Sequence, residues 1–190
     1  MNLLKEAIIN RGSVAGEEIL KVDSFLNHQL DIELLNAIGK EFKKRFEGKK
    51  INKILTIEAS GIAIAAVAAQ YFNVPVVFAK KVQSKNLDKE TYKTEVYSFT
   101  KGRTYDVRVS KKYITKEDHI LVLDDFLAKG GASLGLIDLV NKAEATLAGV
   151  GIVIEKGFQE GGQLLRDRGV NLQSLAIVDR FIDDNIRFLD

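Results

Sequence analysis

Hydrophobic positions along the chain fall into two recurring patterns. Short, nearly unbroken apolar runs rich in Val, Ile and Leu occupy 51–57, 74–79, 119–123 and 147–154, with a later run at 175–178. Runs of this length with little polar alternation predict strands covered on both faces. Between them the spacing changes to that of helices. Across 32–46, Leu34, Leu35, Ile38, Phe42 and Phe46 fall close to one helical face. The stretch 62–72 is rich in Ala, a strong helix former, and stops near Asn73 and Pro75. Further helices are predicted at 134–143 and 162–168. Strand and helix in alternation predict an α/β fold, a mostly parallel sheet flanked by helices on both faces. No repeat and no low-complexity linker interrupts the order, so 1–190 reads as one domain.

One stretch breaks the rhythm. Residues 82–113 are polar and rich in Lys, Thr, Tyr and Ser, while Phe99, Tyr105, Val107 and Val109 suggest extended segments and a hairpin around Lys101 and Gly102. A long excursion from a compact domain is either a lid over a binding site or an ordinary surface hairpin. Periodicity does not choose between them.

Composition narrows the chemistry. With 46% hydrophobic and 28% charged residues the chain has an ordinary globular balance and enough length for a core. No apolar stretch is long enough for a bilayer, and the first nine residues, which include Lys5 and Glu6, do not form a secretory signal. A cytoplasmic protein without a membrane partner is the expectation. The absence of cysteine excludes disulfides, thiolate nucleophiles and cysteine-ligated metals. His28 and His119 are the only histidines, so a three-histidine metal site is excluded too. A net charge of +2 gives no reason to expect a nucleic-acid partner. From Lys80 to Lys116, Lys, Arg and Tyr outnumber the acids, which suits either an anionic small molecule or a solvated loop.

The segment that carries chemistry follows the third apolar run. Ile120-Leu121-Val122-Leu123 leads into Asp124-Asp125, then Phe126-Leu127 and the small-residue loop Ala128-Lys129-Gly130-Gly131-Ala132, with a helix predicted from about Ser133. Ligands of open α/β sheets bind beyond the carboxyl ends of strands. A glycine turn opening into a helix offers backbone amides to an anion. Carboxylates beside such a site require something polar between the two charges, and a ribose diol or a divalent ion would supply it. An acidic pair alone, or a Ser-Gly before a helix alone, reads as ordinary strand-end and capping chemistry.

This segment resembles the phosphoribosyl pyrophosphate motif of type I phosphoribosyltransferases. The resemblance implies that Asp124 and Asp125 contact the ribose hydroxyls. It also implies that Ala128, Lys129, Gly130, Gly131 and Ala132 hold the 5-phosphate through main-chain amides. Phe126 is bulkier than the usual aliphatic, and Lys129 stands where a small residue is common. Ala59, Ser60 and Gly61, after the first strand, match the loop that touches pyrophosphate in the family, often through a strained peptide. Lys80 and Lys81 match its basic residues near pyrophosphate.

The turn Glu155-Lys156-Gly157-Phe158-Gln159-Glu160-Gly161-Gly162 resembles the purine-binding turn of the xanthine-using branch, where the lysine reads an exocyclic oxygen. The segment Gly16 to Gln29 is similar to that branch's N-terminal region, so a small hood formed by the N- and C-terminal parts is expected over the base, with Leu20 and Asn27 on xanthine. Taken residue by residue, Leu20 reads as packing and Asn27 as a turn cap, and Phe158 either stacks on the base or belongs to the core. His119 reads as a local hydrogen-bonding residue. The resemblance implies transfer of 5-phosphoribosyl to xanthine with Mg2+ as the donor's counterion, in a homodimer, with Ser98, Tyr105 and Arg108 as further candidates in the long excursion. A hypoxanthine- or guanine-preferring transferase, or a regulator of the same fold that senses the donor, are the alternatives.

Overall fold

Burial on both faces explains why the apolar runs, rather than the alternating ones, occupy the centre of the sheet. Residues 1–16, 18–81, 90–98, 102–182 and 185–189 are described in a computed structural model, the side chain of Ser98 excepted. The central strands are β3 (Lys53–Ile57), β4 (Val76–Ala79), β7 (His119–Leu127), β8 (Thr146–Lys156) and β9 (Leu172–Ile182). With β10 (Asn185–Leu189) they form a sheet of order β10-β9-β8-β7-β3-β4. All neighbours are parallel except β9 and β10. The expected mostly parallel sheet is present, closed at one edge by an antiparallel tail.

Alternation along β7 divides the core into two layers. Leu121 and Leu123 pack with Ile38 and Phe42 of α2 (Ile32–Arg45) and with Ile64 and Ala68 of α3 (Ser60–Phe72). Ile120 and Val122 pack on the other face with Leu136 and Leu139 of α4 (Gly131–Lys142) and Leu165 of α5 (Gly161–Asp167). Two large buried faces on one sheet, each covered by helices, is what a fully apolar strand requires. The phase of the alternation changes across Asp124 and Asp125. Phe126 joins the α2–α3 layer and Leu127 the α4 layer.

Helix ends follow local chemistry. The Asp31 side chain accepts the Leu34 N–H at 3.0 Å and starts α2. Asn73 ends α3 in the left-handed region at φ 54°, a conformation that Asn adopts more readily than most residues.

Several elements differ from the sequence expectation. Strand β7 continues to Leu127, so the acidic pair lies inside the strand rather than beyond it. Helix α3 starts at Ser60 and α4 at Gly131, each two or three residues before the expected start. Small residues give a weak periodic signal, which is why the boundaries shift there. Helix α1 (Asn2–Arg11), the hairpin of β1 (Ser13–Ala15) and β2 (Ile19–Lys21), and the π-helical turn Asp23–Asn27 were not anticipated. These N-terminal elements are short or weakly amphipathic, and Leu4, Ile8, Phe25 and Leu26 are anchored by contacts made elsewhere in the fold.

The polar excursion does contain a hairpin, β5 (Thr91–Ser98) with β6 (Arg103–Ser110), running in register from Thr91 opposite Ser110 to Ser98 opposite Arg103. The stretch 82–89, Phe99 and Lys101 lie outside the described residues, as does Glu17. Lys80 and Arg108 exchange two backbone hydrogen bonds, at 2.9 and 3.0 Å, and join β6 to the end of β4. No helix among the described residues is long and apolar enough to cross a membrane.

Candidate active site

The carboxyl ends of β7 and β8 open into a cavity of about 530 Å³. Its floor is the loop Ala128, Lys129, Gly130, Gly131 and Ala132, and its far wall carries Lys156 and Gln159. Glu18 and Ile19 close it from the N-terminal hairpin, and Tyr97 and Tyr105 from the β5–β6 hairpin. Two motifs read separately in the sequence therefore line one cavity.

The loop is shaped by glycine. Gly130 caps α4 with φ 85°, a left-handed conformation that a side chain would disfavour. Helix α4 then begins at Gly131, its first-turn amides presented at the loop with no side-chain cap. The carbonyl of Ala128 is turned away to accept the Gly161 N–H at 3.0 Å.

The acidic pair sits beside this loop in unequal settings. Asp124 is buried, at 5% exposure, and its Oδ1 accepts the Asp125 N–H at 3.0 Å. Asp125 is half-buried and accepts the Phe126 N–H at 3.0 Å. Burial, and then the neighbouring charge of Asp125, hold the Asp124 carboxyl well above the usual carboxylate range, with Lys81 opposing them. Burial first, and Asp124 second, raise the Tyr105 hydroxyl above its ordinary value.

The loop after β3 reaches the same place. A Cβ on Gly61 would lie 3.2 Å from Asp124 Oδ1, so the glycine permits the close approach of α3 to the acid. The Glu58–Ala59 peptide is cis. The Glu58 carboxylate accepts the Lys81 N–H at 2.6 Å, which binds the end of β4 to this loop, and the Lys81 ammonium stands 5.7 Å from the Tyr105 ring centre. Gly61 and Lys81 are thereby brought to Asp124 although they come from separate segments.

At the other end of the cavity Lys156 donates to the Glu18 carbonyl at 2.6 Å, and Gln159 Nε2 donates to the Glu18 carboxylate at 3.1 Å. Burial lowers the Lys156 ammonium below its ordinary value, and Glu18 opposes the shift. Beneath it Glu155 is buried in a bidentate pair with Arg166 at 2.7 and 2.8 Å and also accepts the Ser174 hydroxyl. This pair fixes the end of β8 against α5.

The structure does not bring every candidate to the cavity. Leu20 is 6% exposed and packs in the α2–α3 core, while its neighbour Ile19, on the opposite face of the strand, lines the cavity. Asn27 is exposed at the end of the π-helical turn and is not a lining residue. Phe158 packs edge-on against Phe181 with ring centres 5.5 Å apart, outside the cavity lining. Arg108 pairs with Asp106 at 3.0 Å. Glu18, Ile19 and Gln159 line the cavity without being among the candidates read from the sequence. Gln159 belongs to the purine turn, and its spacing from Lys156 was the one available signal.

Comparison with known proteins identifies the family. The family model for the phosphoribosyl transferase domain matches residues 22–173. The chain is 62% identical over 188 residues to the xanthine phosphoribosyltransferase of Clostridium novyi (strain NT), with 99% of each chain covered. It is 62% identical over 189 residues to that of Clostridioides difficile (strain 630), covering 99% of this chain and 100% of the relative. Among solved structures, the adenine phosphoribosyltransferase of Giardia lamblia complexed with 9-deazaadenine superposes with a TM-score of 0.77 at 20% identity, covering 92% of this chain and 96% of that one. At that identity the likeness speaks for the fold alone. Acidic strand, glycine loop and near-full-length identity lead to one family, and the chain belongs to the proteins with a phosphoribosyl transferase domain.

Proposed function

We propose that this chain, acting as one domain over 1–190, transfers the 5-phosphoribosyl group of phosphoribosyl pyrophosphate to xanthine, giving xanthosine 5'-monophosphate and pyrophosphate. One observation carries the reading. A single cavity has an amide-rich glycine loop at one end and a half-buried lysine ammonium at the other, matching a donor phosphate and a base oxygen. The relatives named xanthine phosphoribosyltransferase support the same base.

In this reading the Ala128, Lys129, Gly130, Gly131 and Ala132 loop binds the 5-phosphate, and Asp124 and Asp125 orient the ribose hydroxyls. A purine nitrogen attacks ribose C1 as the bond to pyrophosphate breaks, and the ribose gains positive character. Carboxylates beside that centre favour the charge electrostatically. Ala59, Ser60, Gly61 and Lys81 serve the leaving pyrophosphate. Tyr97 and Tyr105 on the β5–β6 hairpin exclude water, which would otherwise compete with the base.

The donor set also fits magnesium. No group of three or more His, Asp or Glu able to hold a metal occurs among the described residues, yet Mg2+ keeps several waters and needs only one or two carboxylates plus substrate phosphates. Asp124 and Asp125 would be the nearest carboxylates to an ion that arrives with the donor, and the ion would supply neutralisation of pyrophosphate charge when bound.

Lys156 sets base choice. It donates to an oxygen at purine position 6, as xanthine, guanine and hypoxanthine present, and mismatches the amino group of adenine. The hood contributes Leu20 and Asn27 in this reading: Leu20 braces the wall behind Ile19, and Asn27 is its polar candidate for the base. A homodimer in the cytoplasm completes the proposal, the dimer following from the family resemblance and the location from the composition. The test mixes donor, Mg2+ and each purine and identifies the nucleotide formed. Xanthosine 5'-monophosphate as the fastest product is expected, and adenine outpacing xanthine would overturn the base assignment.

A further inference from the structure

We infer that Gly161 is a positioning residue for the donor phosphate, acting through the backbone of the glycine loop from a different strand–helix unit. The inference rests on the reading of that loop as the 5-phosphate site. Gly161 opens α5 at the end of the purine turn and is not itself a lining residue of the cavity, although it packs on the backbone of the floor loop. Its N–H donates to the Ala128 carbonyl at 3.0 Å. A trans peptide is planar, with its C=O and N–H pointing in opposite directions. Holding the Ala128 carbonyl toward Gly161 therefore turns the Lys129 N–H to the opposite side, where an anion can meet it.

The contact is close on both sides. A Cβ on Gly161 would lie 2.7 Å from the Gly130 amide nitrogen and 2.9 Å from the Lys129 carbonyl carbon, and nearer still to the Ala128 oxygen. A Cβ on Gly130 would in turn lie 3.3 Å from the Gly161 Cα. All of these neighbours are backbone atoms, which cannot rotate out of the way as a side-chain tip does. Only glycine at 161 lets the loop keep this shape. Gly161 also continues the turn that carries Lys156 and Gln159, so the base wall and the phosphate floor share a rigid backbone junction.

The Gly161→Ala variant tests this. The expected result is a donor KM raised at least tenfold, with kcat at saturating donor changed much less and calorimetric affinity for ribose 5-phosphate reduced to match. A role confined to stability would lower the unfolding temperature without that KM–kcat split. Donor KM and ribose 5-phosphate affinity equal to wild type would overturn the inference. A second measurement needs no variant: amide hydrogen exchange in the wild-type protein with and without ribose 5-phosphate. The Gly161 amide should gain protection when the sugar phosphate binds, and unchanged exchange there would count against the contact as a buttress. Wild type failing to bind the sugar phosphate at all would instead overturn the assignment of the loop.

Discussion

Lys156 and Glu18 stand 138 residues apart in the chain, yet the lysine ammonium donates to the Glu18 carbonyl at 2.6 Å. The contact joins the tip of β8 to the N-terminal hairpin and closes one wall of the cavity. An ammonium carries three donors, so one hydrogen bond to the hairpin leaves others for an incoming oxygen. The carbonyl shows which kind of acceptor this lysine accommodates, and an exocyclic purine oxygen is of the same kind.

Replacing that donor should fall hardest on the base. Lys156→Met keeps most of the apolar stem and removes the charge. A lost hydrogen bond to a charged donor costs about 2–3 kcal/mol, so kcat/KM for xanthine should drop by about 10²-fold. Initial rates with varied xanthine at saturating donor check this. An equal loss in donor affinity would place Lys156 elsewhere in the reaction.

Asp124 should trade stability for activity. Its carboxyl is raised by burial and by the charge of Asp125. A group with a raised folded-state value contributes stability that is fully present below its unfolded value and is lost as pH rises through the folded one. Asp124→Asn removes that loss. The variant should unfold at a higher temperature than wild type at about pH 7.5, with the gap narrowing toward the ordinary carboxylate range near about pH 4. Its transfer rate should fall by about 10²-fold or more, since the carboxyl that orients the ribose hydroxyls at the reacting centre is gone. Thermal unfolding across pH, together with rates at one pH, separates the two effects.

The pair of Glu155 and Arg166 should matter for folding more than for chemistry. Arg166→Ala leaves the buried Glu155 carboxylate with the Ser174 hydroxyl as its remaining side-chain donor among the described residues. Breaking a buried pair from one side costs about 3–5 kcal/mol, and the surviving hydroxyl and the partly exposed arginine reduce this to about 2–3 kcal/mol. Urea unfolding measures the difference. A loss below about 0.5 kcal/mol would mean that water reaches Glu155 freely.

The hairpin should report on donor binding. A Cβ on Gly135 would lie 2.5 Å from Val96 Cγ2, and Val96 is a short, stiff side chain that anchors β5 on α4. Gly135→Ala should cost about 1–2 kcal/mol through overpacking and tilt the hairpin that carries Tyr97 and Tyr105. A raised donor KM beside a near-normal xanthine KM is expected in steady-state kinetics.

The layered α/β fold was legible in the apolar runs because burial on both faces leaves strands with almost no polar positions, and that mark is local. The loop at 128–132 was legible for a related reason: glycine and small residues after an acidic strand state a backbone need that few other residues meet. Helix α1 and the N-terminal hairpin were not legible, since Leu4, Ile8 and Leu20 acquire their meaning only from core partners distant in the chain.

The sequence by itself determined the sheet, the acidic pair, the glycine turn and the lysine of the purine turn, because each is written in neighbouring residues. Tertiary structure decided which of these share a cavity. It put Ile19 rather than Leu20 on the cavity wall, since a one-residue step in a strand reverses the face. It also set Gly161 against the Ala128 carbonyl, 33 residues away in the chain. Contacts of that kind depend on how β7 and β8 pair side by side, and no local pattern of residues encodes the pairing.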